Sequence, residues 1–305
     1  MKKIILGVLI SLCVMIATAQ TSIQKVFVQY PSLLPFCSTL FAAFDRIDNT
    51  STIVLLKAGA GGLIAIQAAQ QEPNSLVCGV GAADLFLYSQ IHPNYINLYK
   101  DLKVFNILYT TGTYLHASVN NQHNTLLDLL KTSTTSKPIL VGFEITSAKI
   151  IGNKLISATN APITLIPFKR ASDAIASLQD GTLDLLVTNG NIMQPFVEAN
   201  KIKLMGYVND TGIVGNTQAT NFNLLNLSNG NLSVFSAIAG FDNDVSEESY
   251  AKIQVKINTA LKDPAVQVIC KTNSYKCVGS NLTQTMQFLQ NSKIKWSEAS
   301  TLIPQ

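Results

Sequence analysis

The sequence predicts an α/β fold, and three observations carry that prediction. Short apolar runs rich in β-branched residues alternate with segments whose apolar positions recur at helical spacing, most clearly from Pro162 to Val208. The connections between them are brief and marked by Gly, Asp, Asn and Pro. Hydrophobic residues make up 47% of the chain and charged residues 13%, a balance that favours a large buried core over a solvated or disordered chain. Such alternation builds a parallel sheet with helices on both faces, and these sheets bind ligands at the carboxyl ends of their strands. On that rule Pro167 to Ala171 and Thr188 to Gln194 share one rim.

The elements follow in order. Met1 to Ala19 combines Lys2 and Lys3, an apolar run from Ile4 to Ile16, and the small-x-small ending Ala17-Thr18-Ala19. This is the pattern of a cleaved signal peptide, and the run is shorter than the ~20 residues that span a bilayer. The expected product starts near Gln20 and is exported. Ile23 to Tyr30 reads as a strand and Ser38 to Phe44 as part of the first helix. Thr52 to Leu56 is a second strand, followed by the turn Lys57-Ala58-Gly59-Ala60-Gly61-Gly62 and a helix to Gln70. Leu76 to Val80, Val104 to Thr110 and Leu115 to Val119 are further apolar, β-rich runs. Leu126 to Leu130 is helical, Pro138 to Phe143 is a strand, and a helix starts near Thr146. Ile163 to Ile166 is a strand closed by Pro167, and Ala171, Ala174, Ile175 and Leu178 mark a helix that Asp180-Gly181 stops. Leu183 to Val187 is a strand, Met193, Phe196 and Val197 form the next stripe, and Ile202 to Val208 closes the unit. Asn209 to Asn231 is rich in Asn, Thr and Gly and reads as irregular. Leu232 to Ala239 returns as a strand, and Glu247 to Leu261, Pro264 to Cys270 and Thr283 to Glu298 read as helices.

Composition narrows the chemistry. The formal charge of +4 falls to +2 when Lys2 and Lys3 leave with the signal, and no basic cluster is interleaved with aromatics, so nucleic acid is not an expected partner. Export removes Cys13 and leaves four cysteines in an oxidising compartment. Cys270 and Cys277 flank a short polar segment and are expected to form a small disulfide loop. Cys37 and Cys78 read either as a second disulfide or as two buried thiols. His92, His116 and His123 are scattered and no CxxC occurs, so no metal site is expected. There is no G-x-S-x-G elbow and no HExxH motif. A Cys78 nucleophile with His116 as base is the one hydrolase constellation the residue types permit.

Several segments together resemble a known family. They are Ile166-Pro167-Phe168-Lys169, Asp180-Gly181-Thr182-Leu183-Asp184, Asn189, and Ala199-Asn200-Lys201-Ile202-Lys203. The glycine turn at Lys57 to Gly62, Leu261-Lys262-Asp263-Pro264-Ala265-Val266 and Trp296 agree with them in order. This series resembles the periplasmic receptors of tripartite tricarboxylate transporters, the Bug-type solute-binding proteins. The resemblance implies a two-lobed α/β periplasmic binding protein of the type II, Venus-flytrap kind, each lobe a mainly parallel sheet flanked by helices. It implies residues 20–112 and 233–305 in the first lobe and 113–232 in the second, after the signal peptide at 1–19. It also implies a monomer that captures a small molecule between the lobes and hands it to a membrane permease, with no cofactor and no catalysis.

The family holds a substrate carboxylate with backbone N–H groups and waters from two strand-to-helix loops, where helix ends favour anions. Here the first loop maps to Pro31-Ser32-Leu33-Leu34-Pro35-Phe36, with Leu33 and Leu34 where the family has paired glycines. The second maps to Gly142-Phe143-Glu144-Ile145-Thr146-Ser147, with an acid at Glu144. Leucines block the close backbone approach that glycine permits. Glu144 opposes an anionic ligand if it faces the cleft and is an ordinary solvated acid if it does not. The expected ligand residues are Ser32, Leu33, Leu34, Asp84, Glu144, Thr146, Ser147, Lys169 and Asn189, and the expected ligand is not a simple dicarboxylate. Thr146 and Ser147 are also helix-capping types, which leaves capping as their alternative role. An exported interaction protein that keeps the fold without transport is the competing reading, and a Cys or Ser hydrolase is the third.

Overall fold

The structure, a computed structural model, describes residues 25–81, 102–144, 146–190, 192–208, 220–221, 234–241 and 246–300. The expected signal peptide, Asp84 and most of the irregular segment 209–231 lie outside them. Two six-stranded sheets organise the chain. The first contains β1 (Lys25–Val28), β2 (Ile53–Leu56), β3 (Ser75–Gly81), β4 (Lys103–Thr111), β11 (Val234–Gly240) and β12 (Lys276–Cys277), in the order β12-β4-β11-β3-β1-β2. The second contains β5 (Thr113–Ser118), β6 (Ile139–Phe143), β7 (Ile163–Pro167), β8 (Leu185–Asn189), β9 (Ile202–Val208) and β10 (Thr220–Asn221), in the order β10-β9-β5-β8-β6-β7. This is the two-lobed α/β architecture, with strand boundaries within a few residues of those expected.

Both sheets are mixed, and the reversed strands have a simple cause. β1 runs parallel to β2 and β3, and β6 runs parallel to β7 and β8. The chain passes from β4 to β5 through Gly112 alone, too short a link for a crossover. A strand that enters a sheet at the rim where its neighbours end must run against them. Accordingly β5 is antiparallel to β8 and β9, and β11, the returning strand, is antiparallel to β3 and β4.

Alternation along the strands sorts side chains into layers. Val26 and Val28 join one core with Phe36, Leu40, Phe41 and Phe44 of α1 (Leu34–Asp48). α7 (Glu247–Ala260) and α8 (Pro264–Thr272) add Ile253, Ile257 and Val266 to it. Phe27 faces the other side, against Ala65, Ile66 and Ala69 of α2 (Leu63–Gln70). In the second sheet Leu185 and Val187 face α3 (Leu126–Lys131) and α4 (Thr146–Thr159). Leu186 faces α5 (Ala171–Gln179) and Met193, beside α6 (Gln194–Glu198). The period of two thus gives each sheet a helical layer on both faces. The last helix, α9 (Leu282–Ser300), touches both lobes: Leu289 belongs to the outer core of the first sheet and Trp296 to the core of the second.

The glycine turn serves packing. Gly59, Gly61 and Gly62 have φ of 129°, 61° and 92°, and a Cβ on Gly62 would lie 2.5 Å from the buried Gln29 side chain. The turn brings α2 down onto β1 as only glycine allows.

His116 on β5 is fully buried, and neither ring nitrogen has a hydrogen-bond partner among the described residues. Burial drives its pKa from 6.5 down to about 3. Between those values the unfolded chain binds a proton that the folded chain refuses, so stability rises with pH across that window and is lost as pH falls through it. From pH 7 to pH 5 the wild type is expected to lose about 2 kcal/mol more than a His116→Leu variant, measured by urea unfolding at both pH values. Equal losses in the two proteins would place the charged imidazole in contact with water or a partner.

Candidate functional site

A cavity of about 90 Å³ lies where the strand ends of the two sheets meet. At roughly 10–15 Å³ per water it has room for several waters or a compact ligand. The first lobe contributes Tyr30, Ser32 and Leu33 after β1, Gly79 of β3, Tyr109 and Thr111 of β4, Val234 to Ser236 of β11, and Tyr275 before β12. The second contributes Glu144 after β6, Ala171 and Ala174 of α5, Leu186 to Asn189 of β8, and Ile192 and Met193 beyond it. In both sheets the cavity thus lies at strand ends, where folds of this class place ligands.

A β-bulge shapes the first-lobe wall. Ala237 pairs with Val80 and Ile238 with Cys78, which leaves Gly79 as the extra residue, at φ +92°. A Cβ there would lie 2.5 Å from Leu33 Cδ1, so Leu33 occupies the space the missing side chain leaves. Cys78, one residue earlier, is disulfide-bonded to Cys37 in α1. The same bond removes Cys78 as a free thiol and with it the Cys78–His116 hydrolase pairing. His116 lies in the other sheet.

Three aromatic rings back the wall. Tyr109 and Tyr275 stack with ring centroids 3.9 Å apart and planes within 6°, and Phe36 meets both edge-on at 5.1 and 6.1 Å. Burial, with each ring beside the other, pushes the Tyr109 phenol well above its ordinary pKa, and burial lifts Tyr275 to about 12. Both phenols are neutral at physiological pH. Tyr275 is fixed by its backbone N–H, which donates to Cys270 O at 2.8 Å, and by the Cys270–Cys277 disulfide that brackets it.

Gly190 seats the second lobe on this stack. Its φ is +71°, its N–H donates to Gly112 O at 2.9 Å, and a Cβ on it would lie 2.7 Å from Tyr275 Cε1. Asn189 is held on two sides. Its Oδ1 accepts from Thr113 Oγ1 at 3.0 Å, and its Nδ2 donates to Ser147 Oγ at 2.8 Å. Next to it, Thr188 is 6% exposed, and its Oγ1 has no partner among the described residues. Glu144 is the one charged residue among the described lining; no Lys, Arg or His joins it.

Of the residues expected from sequence, Ser32, Leu33, Glu144 and Asn189 meet at this cavity. Ser147 is fully buried behind Asn189 and supports it. Leu34 opens α1 and packs half-buried against the first core. Thr146 starts α4, and Lys169 is exposed and outside the lining. Sequence reading placed Thr188 on the rim but not among the ligand residues, and it passed over Gly79 and the Tyr109–Tyr275 stack. The one signal for the last was a tyrosine set between two closely spaced cysteines.

The family model for the tripartite tricarboxylate transporter family receptor matches residues 44–302. The chain belongs to that receptor family. No curated protein sequence matches the receptor closely enough to count as a relative. Among solved structures, the receptor is similar to the periplasmic binding protein BugD, with TM-score 0.76 and 14% identity over 92% of this chain and 98% of that one. It is similar to Rpa4515 of R. palustris with adipate, with TM-score 0.76 and 12% identity over 92% and 96%. It is also similar to MatC of Rhodopseudomonas palustris with bound malate, with TM-score 0.75 and 14% identity over 91% and 98%. Receptors of this family are periplasmic and bind solutes. The fold of this receptor is theirs.

Proposed function

We propose that this protein is an exported receptor that captures a small molecule between its lobes and delivers it to the membrane permease of a tripartite-type transporter. One observation carries the reading: a cavity built jointly by two sheets that Gly112 joins directly. Closure of two lobes about such a connection is how binding proteins sequester ligand. On this reading residues 20–112 and 233–305 form one lobe and 113–232 the other, with α9 reaching across. The N-terminal signal directs the chain to the periplasm, and it acts there as a monomer without catalysis. The lining favours a ligand other than a simple dicarboxylate.

The test is a thermal-shift screen of residues 20–305, unfolded and refolded to strip any carried ligand, against carboxylates, amines, amino acids and neutral metabolites. A ligand at about 100 times its dissociation constant adds about 2.7 kcal/mol of stability, a visible rise in Tm. Silence across the whole panel would favour an interaction protein that keeps the fold alone.

A further inference from the structure

Resting on the receptor reading, we infer that the ligand is a compact uncharged molecule with a flat apolar body and a group that both donates and accepts hydrogen bonds, of which a ring carboxamide is the simplest form. Three features of the cavity lead there.

The first is that the described lining holds no cationic side chain. Among the described residues no Lys, Arg or His lines the cavity, and the one charged lining group, Glu144, is itself an anion. It stands just before α4, at the helix end that would otherwise attract an anionic ligand. A bound carboxylate would meet like charge where it needs opposite charge.

The second is the shape and chemistry of the walls. Tyr30, Tyr109, Tyr275 and Phe235 stand on one side, and Leu186 and Met193 on the other. Both stacked phenols are held neutral, so they add no charge to the site. Aromatic and aliphatic walls of this kind gain most from burying a flat apolar body. An ammonium would gain from Glu144 and the ring faces, but it only donates, so it would leave the buried Thr188 O–H without an acceptor.

The third is the Thr188 hydroxyl. It is buried and lacks a partner among the described residues, as does Ser236 Oγ on the first-lobe wall, while the neighbouring Asn189 amide is already engaged by Thr113 and Ser147. Buried hydroxyls in proteins are paired, so an unpaired one on a cavity wall marks where a ligand group completes the bond. A hydroxyl both donates and accepts, which suits an amide or carbonyl.

The experiment is calorimetric titration of refolded residues 20–305 with three molecules that share one ring, benzamide, benzylamine and benzoate, alongside malate and adipate. Benzamide is expected to saturate and to bind at least about ten-fold tighter than its charged relatives. Thr188→Val should weaken benzamide about ten-fold, the loss of one hydrogen bond, with Thr188→Ser restoring it and Tm unchanged in both. Tighter binding of benzoate, malate or adipate would overturn the inference and leave the receptor standing, as would tighter binding of benzylamine. Full benzamide affinity in Thr188→Val would overturn the assigned contact. No saturable binding by any of the five, with a hit elsewhere in the thermal-shift panel, would overturn the inference and leave the receptor standing; silence in both would overturn the receptor reading as well.

Discussion

Replacing Cys37 and Cys78 together by alanine is expected to lower the unfolding free energy by about 4 kcal/mol. The bond closes a loop of 41 residues. Constraining the unfolded chain over such a span is worth about that much in the chain-entropy account. Both sulfurs lie in the first core, and both residues are fully buried. The bond ties α1 to β3 at the cavity wall. Cys37 follows Phe36, whose ring edges the tyrosine stack, and Cys78 precedes the Gly79 bulge. By contrast, the Cys270–Cys277 bond closes only seven residues, and its removal should cost about 2 kcal/mol. Urea unfolding of residues 20–305 in the two double-alanine variants separates the effects, and reduced wild type should show both. A loss below about 1 kcal/mol in the first variant would mean that packing alone holds α1 against the sheet.

Much of this molecule is legible in its sequence because local periodicity is the signal that built it. Ile163 to Pro167, Ala171 to Gln179 and Ile202 to Val208 form strand, helix and strand where β-branching, helical spacing and Gly181 place them. Strand direction was less legible, since it depends on the single-residue link at Gly112 and not on any strand's composition. Side-chain aim was the least legible. Leu33 and Leu34 are identical neighbours, yet one fills the space over Gly79 and the other starts a helix on the core side. Lys169 and Asn189 both stand near strand ends on one rim, but Lys169 turns to solvent while Thr113 and Ser147 hold Asn189 inward. The Tyr109–Tyr275 stack joins residues far apart in the chain, and only the pairing of β4 with β12 brings them together. Cys37 and Cys78 likewise meet because β1 lies beside β3 and α1 packs over both, a contact that two spacings cannot state.

Trp296→Ala is expected to cost about 3–5 kcal/mol, as large aromatic truncations in cores do. The reason is the reach of α9. Its 19 residues span roughly 28 Å, and Leu289 and Trp296, seven apart, lie two turns from each other on nearly the same face. At Leu289 the helix packs on the outer core of the first lobe, where Phe288 meets Phe235 edge-on at 4.9 Å. At Trp296 it has reached the second lobe's core, beside residues of α3, α4 and β8, and the ring is 2% exposed. The Trp296 side chain therefore fastens the C-terminal turns of α9 to the second lobe's core. Truncating it removes that core contact and frees the helix end together. Trp296→Phe keeps an aromatic anchor and should recover more than half of the loss. Circular dichroism under urea reads both variants, and in the wild type the emission of this sole tryptophan should shift as the same transition proceeds. A cost below about 1 kcal/mol would show that the second lobe closes its core without the C-terminal helix. A cost in the expected range would make that helix an element whose packing energy belongs to both lobes, and its stiffness a direct influence on how far they can open.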